Sequence, residues 1–324
     1  MYKPIKLLVF LIISLFIFNL NSTVLASNRQ DDDIAYLQQA LQTTSSAENL
    51  AYKINLSITS PLADGTINID GKYSQILNTS GKMSFLFNSW IDTIQFEALA
   101  QYYTETANNT LNQYFKLQTT PPTKELNPEQ WYFETVILAD NVDDIYNTQK
   151  ALNIDKITKH ITNIFMYDST NNTKKIYVTY KKPFFDEQSW EQALALYAKD
   201  EIKSKQLDRF SELLQTNPNL KTSLSTPRKF TYVFTVDKNT GYITNLTTDF
   251  SDSIHELGTE ILDNIPDEEI SKTSASVIRN TLKNYLKLST FKLDITLTDI
   301  NATKIDTLSA EEKTSAIAFP QNKL

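Results

Sequence analysis

The sequence predicts an α+β fold: a curved, mostly antiparallel sheet with amphipathic helices available to cover one face. Three observations predict it. Apolar residues recur at every second position over much of the chain, the period of a strand with one buried face. The gaps between these runs are short and rich in turn residues, which suits hairpins, because a parallel crossover needs about a dozen residues or more. Helical periodicity is confined to a few separate stretches.

The 324-residue chain begins with the three parts of a Sec-type export signal. Lys3 and Lys6 supply positive charge, Leu7 to Phe18 is apolar apart from Ser14, and Val24-Leu25-Ala26 offers the −3 and −1 positions of a cleavage site. Cleavage is expected after Ala26. The apolar run is about 12 residues, short of the roughly 20 that cross a bilayer. The expected product is an exported protein, periplasmic or extracellular, with no stable transmembrane segment.

Cysteine is absent. That removes lipid attachment through a thioether, disulfide cross-links and cysteine nucleophiles together, so stability must come from a packed core. The formal charge is −7, and loss of the two signal lysines takes it to −9. Nucleic acid is therefore not an expected partner, since affinity for phosphates is supplied by Lys and Arg.

A first helix is expected at Asp31 to Thr44, with Asp31, Asp32 and Asp33 where the helix dipole favours negative charge. Strands follow. Leu50, Tyr52, Ile54, Leu56 and Ile58 share one face, and Ile67, Ile69 and Tyr73 repeat the pattern with Gly71 at the gap. Met83, Phe85 and Phe87 come next, then Ile94, Phe96, Ala98, Ala100 and Tyr102, then Phe115 and Leu117. Turn residues at 61–65, 78–81 and 107–110 separate them, and the whole stretch to Leu138 reads as a meander.

The middle of the chain changes period. Asn141 to Ile161 reads as a weak helix. A hairpin follows, Ile164 to Tyr167 and Ile176, Val178 and Tyr180 flanking a polar turn at Ser169 to Thr173. Pro183 to Thr216 reads as one or two helices, with apolar stripes at Trp190, Ala193, Leu194 and Tyr197 and at Leu207, Phe210, Leu213 and Leu214, ended by Pro218. Phe230, Tyr232, Phe234 and Val236 mark a strand, Asp237 to Gly241 a turn, and a partner strand runs through Leu246. A helix at Asp267 to Leu286 is expected to bury Ile270, Val277, Ile278, Leu282 and Tyr285. Phe291, Leu293, Ile295 and Leu297 form the last long strand, and a short one ends at Ile317 and Phe319. The strands before and after the loop 117–128 should pair, so residues 27–324 are expected to form one domain with helical insertions at about 141–161 and 183–216.

Catalytic motifs fail on chemistry. The chain has two histidines, His160 and His255. His255-Glu256 starts like a zincin motif, but Thr259 and Glu260 stand where the second histidine is needed. Ser289-Thr290-Phe291-Lys292 matches the S-x-x-K of acyl-enzymes, yet the alternation around Phe291 says strand, which sends positions three apart to opposite faces. Asp237-Lys238-Asn239-Thr240-Gly241 is too short for a calcium loop and fits a hairpin turn with Gly241 at positive φ. With five glycines, at 65, 71, 81, 241 and 258, there is no glycine-rich phosphate or oxyanion loop. No enzyme, cofactor or metal site is expected.

The positive signal is aromatic. Phe85, Phe87, Phe96, Phe115, Phe133, Tyr232 and Phe234 lie on strands, and helices are available to cover them. They form either a filled sheet–helix core or the lining of a partly empty concave face that holds an apolar ligand.

Several stretches resemble the LolA/LprG-like superfamily of exported lipoprotein-carrier and lipid-binding proteins. They are the opening helix followed by amphipathic strands from Leu50, the strand Gln130-Trp131-Tyr132-Phe133, the hairpin Phe234 to Ile243 with its V-D-x-x-T-G-x-I pattern, and the closing Ile317-Ala-Phe-Pro320. The resemblance implies a half-open antiparallel barrel with helices at its mouth that binds acyl chains or another amphiphile transiently. The insertions are larger than in simple members of that superfamily, and the lipid-attachment cysteine is missing. The expected function is a non-enzymatic binding or carrier protein for a lipid-like ligand; the alternative is a structural or sensory envelope module with a filled core that contacts a protein partner.

Overall fold

Hairpin follows hairpin from Asn49 onward because each strand alternates its apolar residues and each gap is too short for anything but a reversal. The computed structural model describes residues 28–74, 78–89, 94–107, 109–122, 126–137, 158, 160–196, 201–265 and 274–319. The expected signal at 1–26 and nearly all of the expected helix at 141–161 lie outside these residues; Ile161 itself opens a strand.

The strands are β1 (Asn49–Thr59), β2 (Ala63–Ser74), β3 (Asn78–Ser89), β4 (Ile94–Ala107), β5 (Thr110–Thr120), β6 (Tyr132–Ile137), β7 (Ile161–Asp168), β8 (Thr173–Lys182), β9 (Arg228–Asp237), β10 (Ile243–Asp249), β11 (Thr290–Thr298) and β12 (Ile317–Ala318). They form one curved, unclosed sheet in the order β12-β6-β5-β4-β3-β2-β1-β11-β10-β9-β8-β7. β1 to β6 are the expected meander, and β7 to β11 run back toward β1. β11 joins the two halves by pairing with both β1 and β10. All pairings are antiparallel except that of β12 with β6, which is parallel.

The helices among the described residues are α1 (Asn28–Ser45), α2 (Glu187–Leu196), α3 (Glu201–Thr216), α4 (Pro218–Ser225), α5 (Ser251–Asn264), α6 (Ala275–Lys287) and α7 (Ala310–Ser315). Pro218 ends α3 as expected but also starts α4, at the first helical position where its missing N–H costs nothing. The helix expected at 267–286 is described from Ala275, and its stripe is not fully buried: Val277 is 66% exposed and Ile278 is exposed as well. Amphipathic spacing selects a face, but a neighbour must be present to bury it. No helix among the described residues is long and apolar enough to cross a membrane.

α1 lies on β7 and β10 and sets Leu37 and Ala40 against Ile164, Ile176, Val178, Phe234, Val236 and Ile243. Here the side chains are shielded from solvent, with Ile176 and Val178 fully buried. Each such side chain contributes about 1.5–3 kcal/mol. The Asp237–Gly241 turn forms as expected, with Gly241 at φ +75°. The Asp237 carboxylate accepts the backbone N–H groups of Asn239 and Thr240. At the far edge, α7 is held by a capping box between Ser309 and Glu312 and by an ion pair from Lys313 to Glu105.

Candidate ligand-binding face

Directly paired residues in an antiparallel sheet point to the same side, so register identifies the face. One row runs Leu117, Ala100, Met83, Ile69, Ile54, Ile295, Leu246, Phe234, Ile176, Met166 across ten strands. A parallel row two residues along runs Ala98, Phe85, Ile67, Leu56, Leu293, Thr248, Tyr232, Val178, Ile164. This inner face is the one α1 covers. The opposite face of β1 to β3 is polar, with Asn55, Asn68 and Ser84 joined by side-chain hydrogen bonds.

Burial changes along these rows. Phe234, Ile176, Val178, Ile164 and Leu293 are buried, as is Leu56 on β1, with Met166, Tyr232, Leu246 and Ile295 half-buried among them. From β2 to β5 every row member, Ile67, Ile69, Met83, Phe85, Ala98, Ala100 and Leu117, is half-buried. Among the described residues no helix packs extensively on the inner face of β2 to β5. The apolar pattern is the same in both halves; the cover is not.

The seven aromatic residues singled out from the sequence divide accordingly. Phe85, Phe87, Phe96 and Phe115 lie half-buried on the uncovered part, with the rings of Phe85 and Phe96 5.8 Å apart. Tyr232 and Phe234 share the inner face but sit in the packed half, Tyr232 edge-on to Tyr180 at 5.2 Å and to Phe250 at 6.2 Å. Phe133 is on the other side of the sheet. It pairs with Tyr114, and the inner position opposite Phe115 belongs to Tyr132. Three consecutive aromatics, Trp131-Tyr132-Phe133, carry no phase of their own, so only pairing with β5 could set it. On the outer face Phe133 joins Tyr114 and Tyr103 beside Glu105 and Lys313. Phe319 closes the inner side of that edge, 4.9 Å from Phe115 and 5.9 Å from Tyr132.

Two residues of the uncovered part were read from the sequence only as strand positions. The Tyr52 and Tyr102 hydroxyls meet at 2.7 Å. Between their strands lie Gly71 and Gly81, paired with each other. A Cβ at Gly71 would stand 2.3 Å from the Tyr102 oxygen and 2.5 Å from Tyr52 Cζ. The rings thus cover a floor without side chains, which is how aromatics protect paired glycines in a sheet. The sequence signal was Gly71, a gap in an otherwise regular alternation. Burial raises both phenol pKa values above their ordinary range, and for Tyr102 the nearby Asp70 carboxylate acts in the same direction.

The packed half holds a cation. Lys182 ends β8 on the inner face, its ammonium over the rings of Phe230 and Tyr232 at 5.5 and 5.6 Å. Burial lowers its pKa to about 8. Its pairing neighbour Arg228 is buried and bound by Glu260, Glu256 and the Ser223 carbonyl. An open cleft of about 640 Å³ lies just beyond, lined by Pro183, Phe185, Glu187, Lys221 and Pro227. It contains none of the seven aromatics, and its mixed charged lining suits an apolar ligand less well than the uncovered sheet face does.

The histidines fall outside this face. His255 lies on α5, where its Nε2 bonds the Ser289 carbonyl, while the Ser289 hydroxyl donates to the Tyr285 carbonyl. Lys292 is exposed on β11 and the Ser289 hydroxyl is taken up by the Tyr285 carbonyl, so among the described residues the S-x-x-K pair shows no nucleophile–base hydrogen bond. His160 is buried at the entry to β7.

Fold and face define a class: an open, curved antiparallel sheet in which, among the described residues, a helix packs on one half of the inner face and the other half presents an apolar, aromatic surface. Among solved structures the chain is similar to LprF from Mycobacterium bovis, at 8% identity and a TM-score of 0.34, over 86% of this chain and 97% of that one. It is also similar to the lipoprotein LppX from Mycobacterium tuberculosis, at 7% identity and a TM-score of 0.30, over 85% and 99%. A β-barrel-like protein from Brucella abortus matches at 8% identity and a TM-score of 0.23, over 78% and 96%. These are likenesses of fold. No protein-family model and no curated protein matches the sequence.

Proposed function

We propose that this protein is a non-enzymatic exported carrier or binding module for a lipid-like ligand, and that the ligand lies on the inner face of β1 to β5. One observation supports the reading above the rest. A single apolar face passes from packed at Phe234 and Ile176 to half-buried at Met83 and Phe85 without any change in its residue types. A monomeric protein gains by covering such a surface, and an acyl chain supplies that cover reversibly. The test is to purify the protein from its host, extract it with organic solvent and examine the extract by mass spectrometry. A bound lipid, and saturable binding of a fluorescent acyl-chain probe after its removal, are expected. A clean extract together with no probe binding sinks the reading.

A second reading, an envelope module acting through its surface on a protein partner, is favoured by a different observation. Phe165 and Tyr167, both exposed, and the half-buried Tyr177 form an aromatic group on the outer face of the edge pair β7–β8, with the Tyr167 and Tyr177 rings stacked at 5.9 Å and Phe165 56% exposed. Under it, the acyl probe fails to bind, and substitution of these three residues by Ser abolishes capture of a partner from envelope extracts.

A further inference from the structure

The inner face of β1 to β4 is apolar between its ends, and at one end Tyr52 and Tyr102 meet. Among the described residues each hydroxyl has the other as its hydrogen-bond partner, at 2.7 Å, and either can be the donor. A phenol carries one proton and two lone pairs. The shared bond consumes one proton of the two, so whichever hydroxyl accepts still has its own proton to give. The pair cannot satisfy itself.

The surroundings fix where that proton can go. Below the pair, Gly71 and Gly81 bring backbone so close that no side chain fits, and among the described residues no side chain accepts there. From Tyr52 the face runs along the strands through Ile54 and Leu56 to Ile58, six residues or about 20 Å at strand rise, with Phe85, Phe87 and Phe96 at the far end. An extended chain laid there would carry its polar linkage to the tyrosines.

We infer that this face selects amphiphiles bearing an uncharged hydrogen-bond acceptor, such as an ester carbonyl, and that the Tyr52–Tyr102 pair donates to it. The inference rests on the proposed ligand-binding role. Charge points to a neutral acceptor. By register no described lysine or arginine stands on the inner face of β1 to β4 to pair with an anionic headgroup; Asp70 lies on the opposite face, in an ion pair with Lys53. Burial also keeps both phenols protonated, so the donor is always present.

The experiment uses the full chain, freed of lipid, and three pyrene-labelled probes of equal length: a methyl ester, the corresponding hydrocarbon and the ionised fatty acid. The ester should bind roughly five-fold tighter than the hydrocarbon, the worth of one net hydrogen bond, and the ionised acid no tighter than the ester. Tyr52→Phe or Tyr102→Phe alone leaves one hydroxyl with its proton, so the preference for ester should persist. The double variant should lose the preference and bind ester and hydrocarbon with equal affinity. Equal binding of ester and hydrocarbon by the parent overturns the inference, as does a preference that survives in the double variant or tightest binding of the ionised acid. Should the double variant fail to fold, the parent's ranking of the three probes still decides. Failure of all three probes to bind overturns the carrier reading itself, a result distinct from equal binding.

Discussion

Gly71 on β2 lies directly opposite Gly81 on β3, and a methyl group on either would overlap what surrounds it. The two collisions differ in kind. At Gly71 the obstacles are the ends of the Tyr52 and Tyr102 side chains, which can swing away. At Gly81 they are the Asp70 carbonyl at 2.4 Å and the Gly71 Cα at 2.7 Å, which can move only if the strands part. Both alanine variants should be destabilised, by about 1–3 kcal/mol, with Gly81→Ala the worse. Urea midpoints for the two variants check the order; Gly71→Ala should also break the tyrosine hydrogen bond.

The unequal cover of the inner face predicts unequal costs for the same substitution. Phe234→Ala removes a buried ring from the packed half and should cost about 3–5 kcal/mol. Phe85→Ala removes a half-buried ring and should cost only about 1–2 kcal/mol. The effects on ligand should be reversed: acyl-probe affinity falls with Phe85→Ala and stays near the parent value in folded Phe234→Ala protein. Equal stability costs would mean that the two halves are equally packed.

Arg228 is a buried cation whose closest carboxylate is Glu260, with Glu256 more distant at 3.5 Å and far more exposed. Glu260→Ala leaves the guanidinium with poorer compensation and should cost about 2–3 kcal/mol. Glu256→Ala should cost no more than about 1 kcal/mol, because that carboxylate is largely solvated and Glu260 still compensates the guanidinium. Thermal unfolding of the two variants at matched salt separates them.

Lys182 gives a pH dependence with a definite sign. Burial lowers its pKa from 10.5 to about 8 in the folded protein. Between those values the unfolded chain binds the extra proton and the folded one does not, so stability rises with pH. Below about pH 8 both states are protonated and this contribution is flat. The gain across pH 8 to 10 should be about 2 kcal/mol. Tyr180 and Tyr232 have raised pKa values, so they oppose the trend above their ordinary range near pH 10. The pH profile of Lys182→Met protein, subtracted from that of the parent, should lose the rise; an unchanged profile would mean that the ammonium is well solvated.

Much of the fold was legible because a strand's alternation is local. Ile54 faces the same way as Leu56 whatever β1 pairs with, and the turn at Asp237 to Gly241 is written in residues that make their own hydrogen bonds. Phases failed where the local pattern was degenerate: Trp131-Tyr132-Phe133 offers rings to both faces, and β5 chose Tyr132 for the inner one. Burial on α6 failed for a related reason. Val277 and Ile278 have helical spacing, yet the helix rests on α5 through other residues, among them Leu286 beside Gly258. The Tyr52–Tyr102 contact was illegible because it joins residues fifty positions apart over a gap that only strand pairing creates.

The sequence by itself determined an antiparallel sheet, which residues share a face within each strand, and the turns between strands, since all of these follow from a few neighbouring dihedrals and side chains. Tertiary structure alone decided that the apolar face is packed beneath α1 and, among the described residues, carries no extensively packed helix over β2 to β5. An apolar residue is equally apolar in both places; what differs is whether another element stands within contact distance, and that depends on how distant segments are arranged in space.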